Sequence, residues 1–238
     1  MSGRPRQRGF TLIELAISLF IVALVLSSLL VPLGTQVEQR QMFEAEKAID
    51  QLKDALLGYA LANGHLPCPD AMSGAAANDG LEDVQADGSC STDDGNLPWV
   101  TLGTGTADPW NNRYRYHVDD AYASRSPSAT FTLSSGASLR VWTTAARTTA
   151  LTSSDPNGAV AVILSHGKNG KGAVSALTNT PNAAAASADE RENTDGTVNF
   201  VSRPPSASDS AAGEFDDIVS WMSRFTLYNR MVGAGRLP

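Results

Sequence analysis

The residues of this sequence that could do chemistry are its histidines, its two cysteines and a few singly placed carboxylates. His65, His117 and His166 lie in or beside turns and strands, and none has a companion at metal-ligand spacing. Ser165 and His166 are sequence neighbours. Neighbours on a strand point to opposite faces, so they make a poor nucleophile and base pair. The run Ser165-His166-Gly167-Lys168-Asn169-Gly170-Lys171-Gly172 follows an apolar stretch, as a phosphate-binding loop does. Gly172, however, stands where such a loop needs Ser or Thr, and Ser165 where it needs glycine, so that reading fails. No GxSxG, HExxH or paired-cysteine motif occurs, and an enzyme is not expected. Asp93-Asp94-Gly95 lacks the alternating oxygen ligands of a calcium loop and is expected in solvated turns. The carboxylate that stands out is Glu14, the only ionisable side chain in the 24 residues from Phe10 to Leu33.

As a helix, that run rises about 36 Å, enough to cross a hydrocarbon core of about 30 Å. A carboxylate within such a span costs about 2 to 3 kcal/mol on insertion scales and normally has a partner or a task. No cation lies in the run, and the leader arginines Arg4, Arg6 and Arg8 belong at the cytoplasmic surface. A cut between Gly9 and Phe10 would create an α-amino group four residues from Glu14, and a neighbouring subunit could offer its own amine. Glu14 is thereby an assembly residue.

Gly9-Phe10-Thr11-Leu12-Ile13-Glu14-Leu15 resembles the processing site of the type IV pilin and type II secretion pseudopilin superfamily. The resemblance implies cleavage after Gly9 by prepilin peptidase, N-methylation of Phe10, and a role for Glu14 in registering one subunit against the next. A secretory signal would instead be cut after its apolar core at a small-x-small site, and nothing like that closes this run.

After a membrane helix, the remainder of the 238 residues makes one ordinary domain. The formal net charge is −7, and −10 without the three leader arginines. That balance argues against nucleic-acid binding through the exported part, which needs a basic footprint. The arginine leader places the N-terminus in the cytoplasm and the residues after Leu33 across the bacterial inner membrane, in the periplasm. Cys68 and Cys90, both on the exported side, are expected to form a disulfide there. Closing a loop of that length contributes about 3 kcal/mol on the chain-entropy account. Two free thiols or a metal pair is the alternative.

The elements that must position these groups follow from periodicity. Pro32 and Gly34 disturb the helix without necessarily ending it. Met42, Ala45, Ile49, Leu52, Leu56 and Tyr59 then recur at three- and four-residue steps, so an amphipathic helix is expected as far as Ala62, stopped by Asn63-Gly64 and Pro67. Residues 65–109 are rich in Gly, Asp, Ser, Asn and Pro and read as a loop stapled by the cysteines. Strands are expected at Arg113 to Val118, Thr130 to Leu133, Leu139 to Thr144 and Ala159 to Leu164, with Ser134-Ser135-Gly136 as a hairpin turn. Thr180 to Asp195 is expected to be a mobile excursion. A last strand is expected over Gly213 to Met222, followed by a helix capped by Ser223 and ended by Gly233.

Further resemblances are local. Asp108-Pro109-Trp110-Asn111 through Tyr116 is similar to the segment that begins the sheet in major pseudopilins, with Asn111 in place of a glycine. Ser165 to Gly172 is similar to the tight loop that follows a strand in those proteins. Asp216 and Asp217 match the aspartates that hold calcium there. In this chain, however, Glu214-Phe215 replaces the glycine-rich approach and more than thirty residues separate the two halves of such a site.

The expectation is an α+β, pilin-like protein whose long N-terminal helix packs on an antiparallel sheet, with a disulfide-stapled loop between them. Its segments are a leader at 1–9, a membrane and filament-core helix at 10–33, an amphipathic spine at 34–63 and a periplasmic domain at 64–238. The resemblance implies a minor type IV pilin or a pseudopilin. Its partners would be prepilin peptidase, other pilin or pseudopilin subunits, an inner-membrane assembly platform and membrane lipid. The alternative is a membrane-anchored periplasmic binding domain that borrows the stem and does not polymerise.

Overall fold

The computed structural model describes residues 9–74, 76–125 and 131–237, with the side chains of residues 28–33 outside the description. The leader therefore lies outside the described residues except for Gly9. In chain order the elements are α1 (Leu12–Asn63), β1 (Asp94–Asn96), α2 (Trp99–Leu102), β2 (Arg115–Val118), α3 (Asp120–Ala123), β3 (Arg140–Trp142), β4 (Ala159–Ser165), α4 (Ala188–Glu192), β5 (Asn199–Val201), β6 (Ile218–Ser223) and α5 (Arg224–Gly233). The chain divides into two compact units, Met1–Phe43 and Glu44–Pro238. Helix α1 contributes to both.

In the second unit, α1 behaves as its periodicity dictates. Ala45, Ile49, Leu52, Leu56 and Ala60 are buried, while Glu44, Glu46, Asp50 and Asp54 face water. The helix ends where Gly64 adopts φ +85°, and Arg236 donates to the Ala62 carbonyl at 2.7 Å. The buried stripe packs on one face of an antiparallel sheet ordered β1-β2-β4-β6, against Tyr116, Val118, Ile163 and Met222. On the other face, Leu139, Val141 and Phe200 from around the β3·β5 pair cover Val162 and Leu164. With both faces covered, all seven residues of β4 are buried. That double burial is why its sequence is a continuous apolar run rather than an alternating one.

A buried polar knot ties this sheet to its loops. Asp108 accepts from the Trp110 and Asn112 backbone N–H groups at 3.0 and 2.8 Å, and its other oxygen accepts from the Ser165 hydroxyl at 2.6 Å. The two segments singled out separately in the sequence, 108–116 and 165–172, are thus one structure. Asn111 takes φ +65° at the position where a glycine would be at ease, a conformation Asn tolerates better than other side chains.

Several expectations need correction. Residues 131–133 form no strand, and Thr130 lies outside the described residues, so no hairpin forms at Ser134-Ser135-Gly136. The hydroxyl of Tyr228 donates to the Thr132 and Ser135 carbonyls, and Phe131 packs on Tyr122 at 4.9 Å between ring centroids. Tyrosines take the place of a neighbouring strand there. The last strand is shorter than expected, because Glu214 to Asp217 turn off into a loop before β6. The β3·β5 pair is parallel, where only antiparallel pairing was expected. The segment 180–195 is no loose excursion: it contains α4 and buries Asp189, Glu190 and Asn193. Ser187 caps α4 at the Glu190 N–H, and Asp189 accepts from the Ala145 N–H at 2.7 Å and from Arg203 at 2.6 Å. By contrast, Ser223 caps α5 as expected, accepting from the Thr226 N–H, and Asp94 is drawn out of its expected solvated turn by pairing with Arg115.

Replacing Ser165 by Ala leaves a buried Asp108 oxygen without its donor. We expect a loss of about 1–3 kcal/mol in a denaturant titration. Asp70, fully buried, keeps one oxygen on the Gly80 N–H, and burial pushes its carboxyl up to about 6 from 3.8. The folded protein therefore holds that proton more tightly than the unfolded chain, and the stability it confers is lost as pH rises from about 4 through about 6. Asp70→Asn is expected to reduce this slope and to raise stability at pH 7 relative to the parent, measured by unfolding at each pH.

Candidate functional site

The first unit carries the N-terminal motif. Thr11 sits just before α1, and the pair Thr11-x-x-Glu14 forms a reciprocal capping box. The Glu14 N–H donates to the Thr11 hydroxyl at 3.3 Å, and the Thr11 N–H points at a Glu14 carboxylate oxygen at 3.5 Å. The sequence signal for this box was present but was read only as part of a processing motif. Gly9 and Phe10 precede the helix in irregular, exposed backbone, with Phe10 80% exposed. A Cβ placed on Gly9 would meet nothing within 4 Å, so the fold itself makes no demand for glycine there.

The helix that follows is apolar on all sides. Leu12, Ile13, Leu15, Ile17, Leu19, Phe20, Ile21, Val22, Leu24, Val25 and Leu26 are each more than half exposed. Among the described residues no helix is long and apolar enough to cross a membrane. The run expected to do so continues through residues 28–33, whose side chains lie outside the description.

The second unit holds an acidic cluster where β6 begins. Glu190 on α4 and Asp216 and Asp217 ahead of β6 each offer one carboxylate oxygen within 4.8 Å of the others. Each of these side chains is held by one of its oxygens. Asn169 donates its side-chain amide to Glu190 Oε1 at 2.9 Å and its backbone N–H to Asp216 Oδ2 at 2.8 Å, while Asn193 donates to Asp217 Oδ2 at 2.7 Å. The remaining oxygens, Glu190 Oε2, Asp216 Oδ1 and Asp217 Oδ1, are buried without a hydrogen-bond partner among the described residues. Burial, opposed by the Asn169 N–H and reinforced by the neighbouring carboxylates, raises the Asp216 carboxyl to about 6. Burial likewise raises Glu190. Gly167, at φ +58°, lets the 165–172 loop close over Asp216, since a Cβ there would collide with the Asp216 carbonyl and carboxyl.

Three converging carboxylates, each tethered by an amide and each keeping one oxygen without a hydrogen bond among the described residues, fit a hard cation with oxygen ligands. The sequence singled out Asp216 and Asp217 and missed Glu190. It lies 26 residues upstream in a stretch whose composition gives no sign of order. His166, 1% exposed, sits beside the cluster with Nδ1 3.6 Å from Asp217 Oδ1, a proximity that sequence spacing could not reveal. Ser165 donates its hydroxyl to Asp108. Cys68 and Cys90 form a disulfide, with Cα atoms 5.3 Å apart.

Residues 4–30 match the family described as the prokaryotic N-terminal methylation motif. The chain therefore carries a prepilin-type methylation motif, consistent with a member of the type IV pilin and pseudopilin family. The match supports a pilin-like or pseudopilin precursor processed by prepilin peptidase. No curated protein and no solved structure matches the chain.

Proposed function

We propose that this chain is the precursor of a pilin-like structural subunit, a minor type IV pilin or a type II secretion pseudopilin, that assembles through its N-terminal helix. The observation that carries the reading is a helix apolar on every side, interrupted by one carboxylate and preceded by an exposed Gly9-Phe10 bond. A helix of that character belongs in lipid or in a bundle of its own kind. Prepilin peptidase removes residues 1–9 and methylates the new amine of Phe10, which remains cationic. In the bilayer the helix anchors the subunit, with its larger unit in the periplasm. In the filament the amine of one subunit neutralises Glu14 of the next while an inner-membrane platform draws the helices out of lipid. The capping contacts of Glu14 lie at 3.3–3.5 Å, the weak end of hydrogen bonding, so exchanging them for a charged partner costs little. That glycine is present at position 9 without a steric reason in the fold supports a demand from the peptidase. The length of the chain and its large loops favour a minor position.

Intact mass of the membrane-extracted protein is expected to show loss of residues 1–9 and gain of one methyl group. Glu14→Ala is expected to leave the protein in the membrane fraction but remove it from sheared or cross-linked filaments. A mature chain that still begins at Met1 in cells with active peptidase overturns the reading. Undiminished assembly of the Glu14 variant overturns the role of that side chain, and absence of the parent from any filament favours a tethered domain that does not polymerise.

A calcium ion at the acidic cluster completes the proposal. It would be held by Glu190, Asp216 and Asp217, where its two positive charges would offset most of the charge of the three carboxylates and fasten α4 to the approach to β6. Its role would be structural. Calcium added to the full-length protein in detergent is expected to raise the thermal midpoint, more than magnesium does because magnesium sheds water reluctantly. Glu190→Gln is expected to abolish most of the rise. No calcium-dependent shift in the parent protein would rule the ion out.

A further inference from the structure

The sheet treats its two edges differently. At β1 the edge is closed by the stapled loop: Asp70 and Asn96 exchange backbone hydrogen bonds at 3.0 and 2.8 Å, and Gly95 is needed there because a Cβ would collide with the Asp70 carbonyl. At β6 the backbone pairs with β4 on one side only. Among the described residues, no other segment bonds the N–H and C=O groups that point away from β4.

An open edge is ordinarily blunted by a charge, a proline or a bulge. The sequence of β6, Ile218-Val219-Ser220-Trp221-Met222-Ser223, contains no charged residue and no proline. The register shift in the β4·β6 ladder lies on the β4 side, between Ala159 and Ala161. Beside the end of this strand lies a cleft of about 180 Å³ whose walls mix apolar side chains, Leu151, Trp221 and Phe225, with polar ones, Thr152, Ser153 and Asn157. Two of its walls are apolar side chains left to solvent, Leu151 at 43% and Phe225 at 57% exposure.

We infer that β6 is a docking edge that takes an extended, uncharged segment of a different polypeptide as an added strand, with one aliphatic side chain seated between Leu151 and Phe225. The unpaired main-chain groups at alternate positions can be satisfied together only by another main chain in extended conformation. Neither the strand nor the cleft offers a charged side chain as partner, so both select against a charged segment, because burying an unpaired charge there carries a desolvation cost. A side chain seated in the cleft would set the register of the incoming strand. The same edge of a second copy is the poorer occupant. Edge-to-edge pairing of identical strands closes a twofold dimer and stops further growth, which opposes filament assembly. That choice of partner alone rests on the function proposed above; the docking edge itself does not.

The probe is a set of acetylated, amidated heptapeptides in which threonine alternates with valine or leucine, added to the full-length protein in detergent. The readout is amide hydrogen exchange by mass spectrometry. Peptide at about 1 mM is expected to slow exchange across Ile218 to Ser223 by about tenfold, with no change in α1. The same peptide N-methylated at alternate amides keeps its side chains but loses its donors, and is expected to give no protection. Leu151→Ser combined with Phe225→Ala is expected to weaken the leucine-containing peptide by about tenfold while leaving the thermal midpoint of the free protein unchanged. Absence of protection at β6, or equal protection by the N-methylated peptide, overturns strand addition. Concentration-dependent protection of β6 without peptide, accompanied by a dimer in light scattering, overturns the choice of a different polypeptide and makes the second copy the occupant.

Discussion

The constraint on which the rest depends is that apolar helix surface must be covered, and α1 meets it in two ways along one continuous element. From Glu44 onward its apolar residues form a stripe one side wide, and a sheet covers them. From Leu12 to Leu26 they run around the helix and are each more than half exposed among the described residues. Burying a single large aliphatic or aromatic side chain stabilises by about 1.5–3 kcal/mol, so leaving eleven such residues exposed is untenable for an isolated molecule in water. On the function proposed above, that surface is met by lipid or by neighbouring helices. Glu14 then acquires its meaning from its surroundings: in water it is an ordinary exposed capping residue, and in an apolar environment it is a charge in need of a counter-charge.

Within the second unit, polar burial organises what hydrophobic burial leaves loose. The loops join the sheet and helix in the core, through Leu66, Cys68, Cys90, Leu97 and Phe131, and the loops together with α4 carry the buried carboxylates. Asp108 has both oxygens occupied and joins two loops. Glu190, Asp216 and Asp217 have one oxygen each occupied and one free. A fully bonded carboxylate is a finished knot. The three half-bonded ones keep a cost of burial, and the raised Asp216 carboxyl reflects that burial first and the neighbouring carboxylates second.

What could be read from the sequence was what repeats or what is local. The stripe from Met42 to Tyr59, the buried β4, the Ser223 cap and the cysteine pair each carry their signal within a few residues or within one simple rule. The pairing of β3 with β5 joins strands more than fifty residues apart, and nothing in either three-residue segment names the other. Phe131 failed as a strand residue because tyrosine hydroxyls from elsewhere satisfy the carbonyls around it, a tertiary contact that propensity does not contain. Glu190 was invisible for a related reason. Its stretch is poor in large apolar residues, the usual mark of disorder, yet it is anchored by polar contacts: Asp189 to Arg203, Asn193 to the Val201 backbone, and Ser187 to the helix start. Composition measures hydrophobic anchoring and is blind to this kind.

The separation into two compact units also bears on how the chain can be used. The second unit contains the sheet, both apolar clusters, the disulfide and the acidic cluster. The N-terminal motif belongs to the first unit. Gly9 and Gly95 illustrate the two regimes. A side chain at Gly95 would break the closed edge of the sheet, whereas one at Gly9 would touch nothing. The fold fixes Gly95, whereas Gly9, like Gly34 and Gly58, meets no steric demand among the described residues.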